Sequence, residues 1–445
     1  MERIFQLKAH GTTVRTEIIA GITTFLTMSY IIVVNPGILS NAGIPVGPST
    51  VATILASAVG CLMMAFYANR PFAIAPYMGE NAFIAFTVVL GMNASWQAGI
   101  TAVFIGGILF VLITAFRLRV WLANAVPKNL KFSFVVGIGL FLTLIGLMDT
   151  GIVLKHPAPD VPLTIGNLLA PESMLAIAAF ILMAVLIIRK VTGAIMIGIL
   201  GTTACAFILK LLDTGPVPFL PTVSLPTGFF SLPPSIAPIF MQFRFAEVMS
   251  AAFLPVFLTI FIMDFVDTMG TVIGVSARAG LLDENGNLPQ IERPMMADAV
   301  ATVTGACFGT TTTGTFIESA AGIEEGGRTG LTALTTGLLF LLALFFTPLL
   351  TAIPTCAYGP ALIIVGVLMM DSVRRIDFSD LTELIPAFVV IVLMSFTYNI
   401  GIGCTAGFVT YPAIKVLAGR GREVGAGTWV LAVVSLLMFI VYPYA

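Results

Sequence analysis

The feature that most constrains this chain is the recurrence of apolar runs long enough to cross a bilayer. Stretches 96–116, 172–188, 191–211, 248–263 and 330–350 each approach the roughly 17–25 residues that a helix needs to traverse the hydrocarbon core. Only 10% of the residues are charged, against about a quarter in a soluble domain. Mean hydropathy is +1.04. Water is therefore not the solvent for most of this surface. The fold class is an all-α polytopic membrane protein, because helices satisfy their own backbone in lipid.

Candidate spans lie at 18–40, 50–68, 78–91, 96–116, 133–148, 172–188 and 191–211. After a Pro-rich polar stretch, 213–243, come 248–273, 296–309, 317–323 with its extension, 330–350, 358–371, 382–399 and 402–416. The expectation is seven plus seven, about fourteen. A last apolar run, 427–443, is either a further span or half of a broken element.

Several function classes drop out. A net charge of −1 gives no basic footprint for nucleic acid. Cys61, Cys205, Cys307, Cys356 and Cys404 form no CxxC pair and read as small apolar packing residues. His10 and His156 lie in polar flanks, and neither HExxH nor GxSxG occurs, so no metal, cofactor or hydrolytic nucleophile is expected.

Lysine and arginine positions set the orientation. Arg3, Lys8 and Arg15 precede the first span. Arg70 follows the second span, Arg117, Arg119, Lys128 and Lys131 the fourth, and Arg189 and Lys190 the sixth. Arg278 and Arg293, Arg328, Arg374 and Arg375, and Lys415, Arg420 and Arg422 follow spans eight, ten, twelve and fourteen. Lys155 and Arg244 are among the few on the opposite side. The N-terminus is expected in the cytoplasm, as a lead-in without the apolar core and cleavage site of a signal peptide. A plasma membrane location follows, the inner membrane in a bacterium.

A weak internal repeat is visible. Phe25-Leu26-Thr27 returns as Phe257-Leu258-Thr259, and Ala56-x-x-x-Gly60 as Ala301-x-x-x-Gly305. GILFVLITAF (107–116) is echoed by GLLFLLALFF (337–346), and Val136-Gly137 by Val365-Gly366. Four matches in one order argue for duplication. An odd number of spans per half means the second half enters inverted, and such repeats place a transporter's site at the midplane between them.

Two apolar segments at matching places are interrupted. Segment three, PFAIAPYMGENAFIAF (71–86), sets Pro71, Pro76 and Gly79 ahead of a short helical pattern. Segment ten, FGTTTTGTFIESAAG (308–322), holds four threonines between Gly309 and Gly314. Each is expected to be an extended piece followed by a half-helix, tolerated at that depth only where protein or a cavity satisfies the backbone.

The ionisable residues inside the spans are Glu80, Asp264, Asp267, Asp298, Glu318, Glu324 and Glu325, all acidic. Intramembrane carboxylates default to a functional reading. Burial disfavours their charged form, so they suit proton coupling. Acceptors without fixed positive charge suit a neutral solute rich in N–H donors and suit an anion poorly. Glu318 opens the second half-helix and is the strongest candidate. Asp264 and Asp267 share roughly one helix face; Asp267, beside Gly270 and Thr271, is preferred for the site. Asn81 opens the other half-helix and offers both a donor and an acceptor. Asp298 reads as a helix cap and thus structural. Glu324 and Glu325 adjoin Arg328 and are expected to pair with it. Glu80 serves either the site or the structure.

At these residues the chain resembles the nucleobase transporter superfamily, in its adenine/guanine/hypoxanthine permease branch. The resemblance runs through GTTVRTEIIAGITTFLTMSYIIVVNP (11–36), APYMGENAFIAFTVVLGM (75–92), DTMGTVIGV (267–275), GTTTTGTFIESAAG (309–322) and GGRTGLTAL (326–334). It implies a seven-plus-seven inverted repeat, homodimers and proton symport. It also implies a core domain of 1–131 and 244–352 and a gate domain of 132–212 and 353–445, with 213–243 as an external loop. The substrate-binding acids fall on Asp267 and Glu318, with Thr24, Asn81, Thr271 and Ser319 beside them. The sequence departs from the branch at Glu80, Glu324 and Glu325, which leaves the particular purine and the proton stoichiometry open.

The expected mechanism has a base docked between the half-helix tips. Glu318 and Asp267 accept its N–H groups, Phe83 or Phe316 stacks on its ring, and protonation of Glu318, Asp267 or Asp264 couples uptake to the proton gradient. The alternatives are an inorganic anion carrier of the same fold, a membrane-embedded enzyme and a channel.

Overall fold

The computed structural model describes residues 2–116, 126–158, 161–213, 220–250, 253–282 and 288–441. The chain opens with α1 (Val14–Met28), α2 (Ile31–Ser40) and α3 (Val46–Met63). A short strand β1 (Ile74–Pro76) leads into the half-helix α4 (Met78–Ala82), which continues to Gly91 in wider turns. Then come α5 (Trp96–Ala115), α6 (Lys128–Asp149), a hairpin of β2 (Val153–Lys155) and β3 (Leu163–Ile165), α7 (Pro171–Ile188) and α8 (Ala194–Leu212). The second half runs α9 (Leu254–Arg278), α10 (Glu292–Phe308), β4 (Thr313–Thr315), α11 (Ser319–Glu324), α12 (Gly330–Ala343), α13 (Thr355–Met369), α14 (Leu381–Phe396), α15 (Ile400–Leu417) and α16 (Ala426–Val441).

Ten helices among the described residues are long and apolar enough to cross a bilayer; Met78–Gly91, Leu381–Phe396 and Ala426–Leu437 are shorter apolar ones. The expected fourteen is thus not met by full-length apolar helices. The shortfall falls on the two broken segments, on Leu381–Phe396 and on the more polar Glu292–Phe308. The described part of the run 427–443 belongs to a separate helix, Ala426–Val441, divided from α15 by a turn at Gly419 (φ 75°). The span expected over 18–40 is also broken, at Ser29–Tyr30. The Thr27 hydroxyl donates there to the carbonyls of Thr23 (3.0 Å) and Thr24 (2.9 Å), and Pro36 brings no N–H to the following helix.

The two broken segments meet. β1 and β4 pair antiparallel, with Ile74 opposite Thr315, Ala75 opposite Gly314 and Pro76 opposite Thr313. The ladder extends through Phe316 N–H to Ala73 O (2.9 Å) and Tyr77 N–H to Thr312 O (2.9 Å). Non-helical backbone inside the membrane thereby finds its partners in the other half of the chain.

The inverted repeat extends to packing. Gly60 of α3 lies on β1, where an added Cβ would stand 2.7 Å from Ile74 Cβ. Gly305 of α10 lies equivalently on β4, 3.2 Å from Thr313 Cγ2. Helix ends repeat as well. Glu17 in the first turn of α1 accepts from Arg328 N (2.9 Å), Thr332 N (3.1 Å) and Thr332 Oγ1 (2.6 Å), capping α12. Glu247, just before α9, accepts from Ser95 N (2.9 Å) and Ser95 Oγ (2.6 Å), capping α5. Each half's leading acid therefore caps the fourth helix of the other half.

α10 packs on α3 and α5, α12 on α1 and α3, and α9 on α5. Separately, α13 packs on α6 and α7, and α14 on α6 and α15. At the α6–α13 crossing Gly146 sits against the carbonyl of Gly359, the small-residue contact usual between membrane helices. Lys415, 1% exposed, ties this second group together: its Nζ lies 2.7 Å from Glu383 and 2.9 Å from Glu423. Glu383 also accepts from Asn129 of α6 (2.8 Å), and Arg420 bonds Asp380 (2.6 Å). Lys415 and Arg420, counted above among the orienting charges, are thus paired with acids; Arg117 and Arg119 lie outside the described residues.

Desolvation pushes the Glu247 carboxyl up, but the Ser95 hydroxyl and N–H, with Arg244, hold it below the usual carboxylate range. A depressed folded-state value contributes stability above the unfolded value, about 4.3, and loses it as pH falls through the folded one. Glu247→Gln should therefore lower the melting temperature at neutral pH and match the parent protein in acid. Thermal unfolding in detergent across pH checks this.

Candidate substrate site

The site is built around the strand pair. Tyr77 follows β1 and Phe316 follows β4, and their rings lie nearly parallel, 7° between planes and 6.1 Å between centroids. Gly314 makes room, since a Cβ there would collide with the Tyr77 ring. The Tyr77 hydroxyl donates to Thr315 O (3.2 Å).

Glu318 stands at the N-terminal end of α11, half-buried, as its place in the sequence suggested. Its Oε1 accepts a 2.5 Å hydrogen bond from the hydroxyl of Tyr30, which is itself fully buried. The break between α1 and α2 is what brings Tyr30 there, and the Thr27 hydroxyl reaches the Glu318 carbonyl from the same bend (3.4 Å). Asp267 lies on α9, half-buried, within electrostatic range of Tyr77, Glu80 and Cys404. α9 packs against α11, with Ile317 beside Gly274, so the two acids border one region. Asp264 is buried and accepts from Thr268 Oγ1 at 3.4 Å.

Other expected residues take different roles. Asn81 is buried and donates to Asn35 Oδ1 (2.7 Å), while Asn35 donates to Thr53 (2.7 Å) and Thr310 (2.9 Å). The Asn81 Oδ1 accepts no hydrogen bond from the described residues. Ser319 Oγ accepts from Ala73 N (3.0 Å) and so anchors β1. The Thr24 hydroxyl is buried against Gly322, and Thr271 is half-buried one turn beyond Asp267. Glu80 is completely buried.

Two expectations are corrected. Asp298 is not a cap of its own helix: it sits within α10 and accepts from Thr315 N (3.2 Å) and Thr315 Oγ1 (3.0 Å), holding β4. Arg328 donates to the carbonyls of Ile323 and Gly327 (both 2.7 Å), so its charge satisfies backbone left open by the Gly326-Gly327 turn. Glu324 pairs instead with Arg278 (2.9 Å), and both Glu324 and Glu325 are exposed, away from the strand pair.

Phe83 is buried and lines a narrow crevice with Thr87, Thr259, Asn399, Gly401 and Thr405. The sequence reading missed Tyr30, Tyr77 and Asn35. Only Tyr77 carried a sequence signal, as an aromatic inside the broken segment 71–86.

An inverted-repeat bundle with paired broken segments and unneutralised carboxylates between them defines a membrane permease. A sequence model described as Permease family (Xan_ur_permease) matches residues 15–406, and the chain belongs to that family, in its purine permease branch. It is 46% identical to putative permease MJ0326 of Methanocaldococcus jannaschii, over 99% of this chain and 98% of that one. Guanine/hypoxanthine permease PbuO of Bacillus subtilis is 42% identical over 98% and 99% of the two chains, and adenine permease AdeP of Escherichia coli 39% over 99% and 96%. These relatives are permeases, not enzymes. The fold is shared with the transmembrane domain of the cyanobacterial bicarbonate transporter BicA, at TM-score 0.63 and 16% identity, covering 87% of this chain and 96% of that one.

Tyr30→Phe removes the hydroxyl that holds Glu318 without emptying the space. A hydrogen bond to a charged group contributes about 1.5–3 kcal/mol. Uptake of the bases named for these relatives should fall by about tenfold or more, with an altered pH profile. Uptake normalised to the amount of protein in the membrane checks this.

Proposed function

We propose that the chain imports a purine nucleobase (adenine, guanine or hypoxanthine) with protons, by alternating access. The observation that carries this reading is the meeting of two half-helices, one from each repeat, at Glu80 and Glu318, which meet no lysine or arginine among the described residues. Such a site offers acceptors to a flat neutral ring edged with N–H groups and repels an anion. The full-length purine permease relatives support the substrate class. The BicA likeness carries the fold alone.

Glu318, oriented by Tyr30, and Asp267 accept ring N–H groups. The Asn81 Oδ1 serves as a further acceptor while its amide stays tied to Asn35. Phe316, already parallel to Tyr77, supplies the aromatic face. Protonation of Asp267 or Glu318 accompanies binding, and release to the other side returns the proton to water. The helices of 1–131 and 244–352 move as the core against the gate of 132–212 and 353–445. The protein works in the plasma membrane with its N-terminus in the cytoplasm, which the positive bias before α1 supports, and as a homodimer.

Glu318→Gln and Asp267→Asn keep size and remove charge. Each should reduce proton-driven uptake of radiolabelled purine by about 10- to 100-fold, the range of a lost charged hydrogen bond. Full proton-coupled uptake by Glu318→Gln would refute the role given to that residue.

A further inference from the structure

One carboxylate at the tip of α4 has no partner in the protein. The Glu80 side chain is 0% exposed, and neither of its oxygens accepts a hydrogen bond from another described residue. The titratable groups acting on it from neighbouring helices are Asp264 and Asp267 on α9 and Cys404 on α15. None of these brings a positive charge.

An ionised carboxylate in such a place carries a desolvation penalty of several kcal/mol with no counter-charge to offset it. Two further acids facing it add repulsion. Something must neutralise it. Among the described residues no three carboxylate, histidine or cysteine side chains converge as a metal-ligand set. A proton needs no such set; it needs one oxygen and a way in.

A narrow crevice comes within one helical turn of Glu80. Phe83 lies one turn beyond Glu80 on the same segment, and Thr405 is next to Cys404; both line the crevice. The hydroxyls of Thr87 and Thr259, also in its lining, are buried without partners in the protein, which suits groups that hold water. The crevice joins helices of the first half to α9 and α15, across the contact that must open for the core to move.

We propose that Glu80 is a second proton-carrying group, so that two protons accompany each base. This rests on the proton-symport reading above. On the side from which the base enters, an O–H bond forms at the Glu80 carboxyl as water in the crevice gives up a proton. On the other side that bond breaks and the proton passes to water; no electrons change hands. Asp267 or Glu318 carries the other proton, at the base itself.

The limiting accumulation of radiolabelled hypoxanthine, adenine or guanine in proteoliposomes under an imposed proton-motive force reads the stoichiometry. A force that holds a one-proton carrier at about tenfold accumulation holds a two-proton carrier at about a hundredfold. The parent protein should reach the higher limit, and Glu80→Gln should still take up base but stop at the lower one. A parent protein that stops at the one-proton limit overturns the proposal, and this holds even if Glu80→Gln does not fold. A Glu80→Gln variant that keeps the two-proton limit overturns it too, by placing the second proton elsewhere. Accumulation driven by no proton gradient at all, or only by a sodium gradient, refutes the underlying symport reading as well, and so is distinguishable.

Discussion

Everything in this fold turns on how non-helical backbone survives where there is no water. Residues 74–76 and 313–315 are extended within a membrane-spanning bundle, and each supplies the other's hydrogen-bond partners. Three residues per strand suffice because both open straight into half-helices that satisfy their own backbone. Asp298 and Ser319 complete the ladder by taking the N–H groups of Thr315 and Ala73. The substrate region exists because these two interruptions coincide. Either segment alone would leave carbonyls and amides stranded in an apolar medium, at a cost of several kcal/mol per group.

The chemistry of the region follows from what is left unpaired. The amide of Asn81 is engaged by Asn35, whereas the titratable groups acting on Glu80 among the described residues are themselves acidic. Low dielectric makes such acids sensitive to whatever approaches them, whether a proton or the N–H edge of a heterocycle. Tyr30 restrains Glu318 through a donor that is itself fixed by complete burial. That arrangement orients an acceptor without cancelling its charge, as a lysine would.

Much of this was legible in the sequence, for a specific physical reason. Acids in apolar runs, and glycine, proline and threonine clusters where a helix should continue, stand out against a monotonous background. Glu80, Asp267 and Glu318, and both broken segments, were visible this way. The break at Ser29–Tyr30 was not, because hydropathy runs unbroken through Tyr-Ile-Ile-Val-Val and only the bend's hydrogen bonds reveal it. Asp298 was legible as structural, but not its partner, because Thr315 is 17 residues away across a turn that spacing arguments do not resolve. Arg328 and the glutamates after α11 were paired by proximity in sequence, while the backbone carbonyls of a glycine turn proved to be the better acceptors.

The crossed caps of Glu17 and Glu247 bear on how the molecule is made. Ser95 must wait for a residue 152 positions later in synthesis, and Thr332 is bonded by one made 315 positions earlier. While only the first half has emerged from the ribosome, the leading end of α5 lacks its acceptor and Glu17 lacks its donors. Neither cap can form until both halves are present, so the two repeats lock each other.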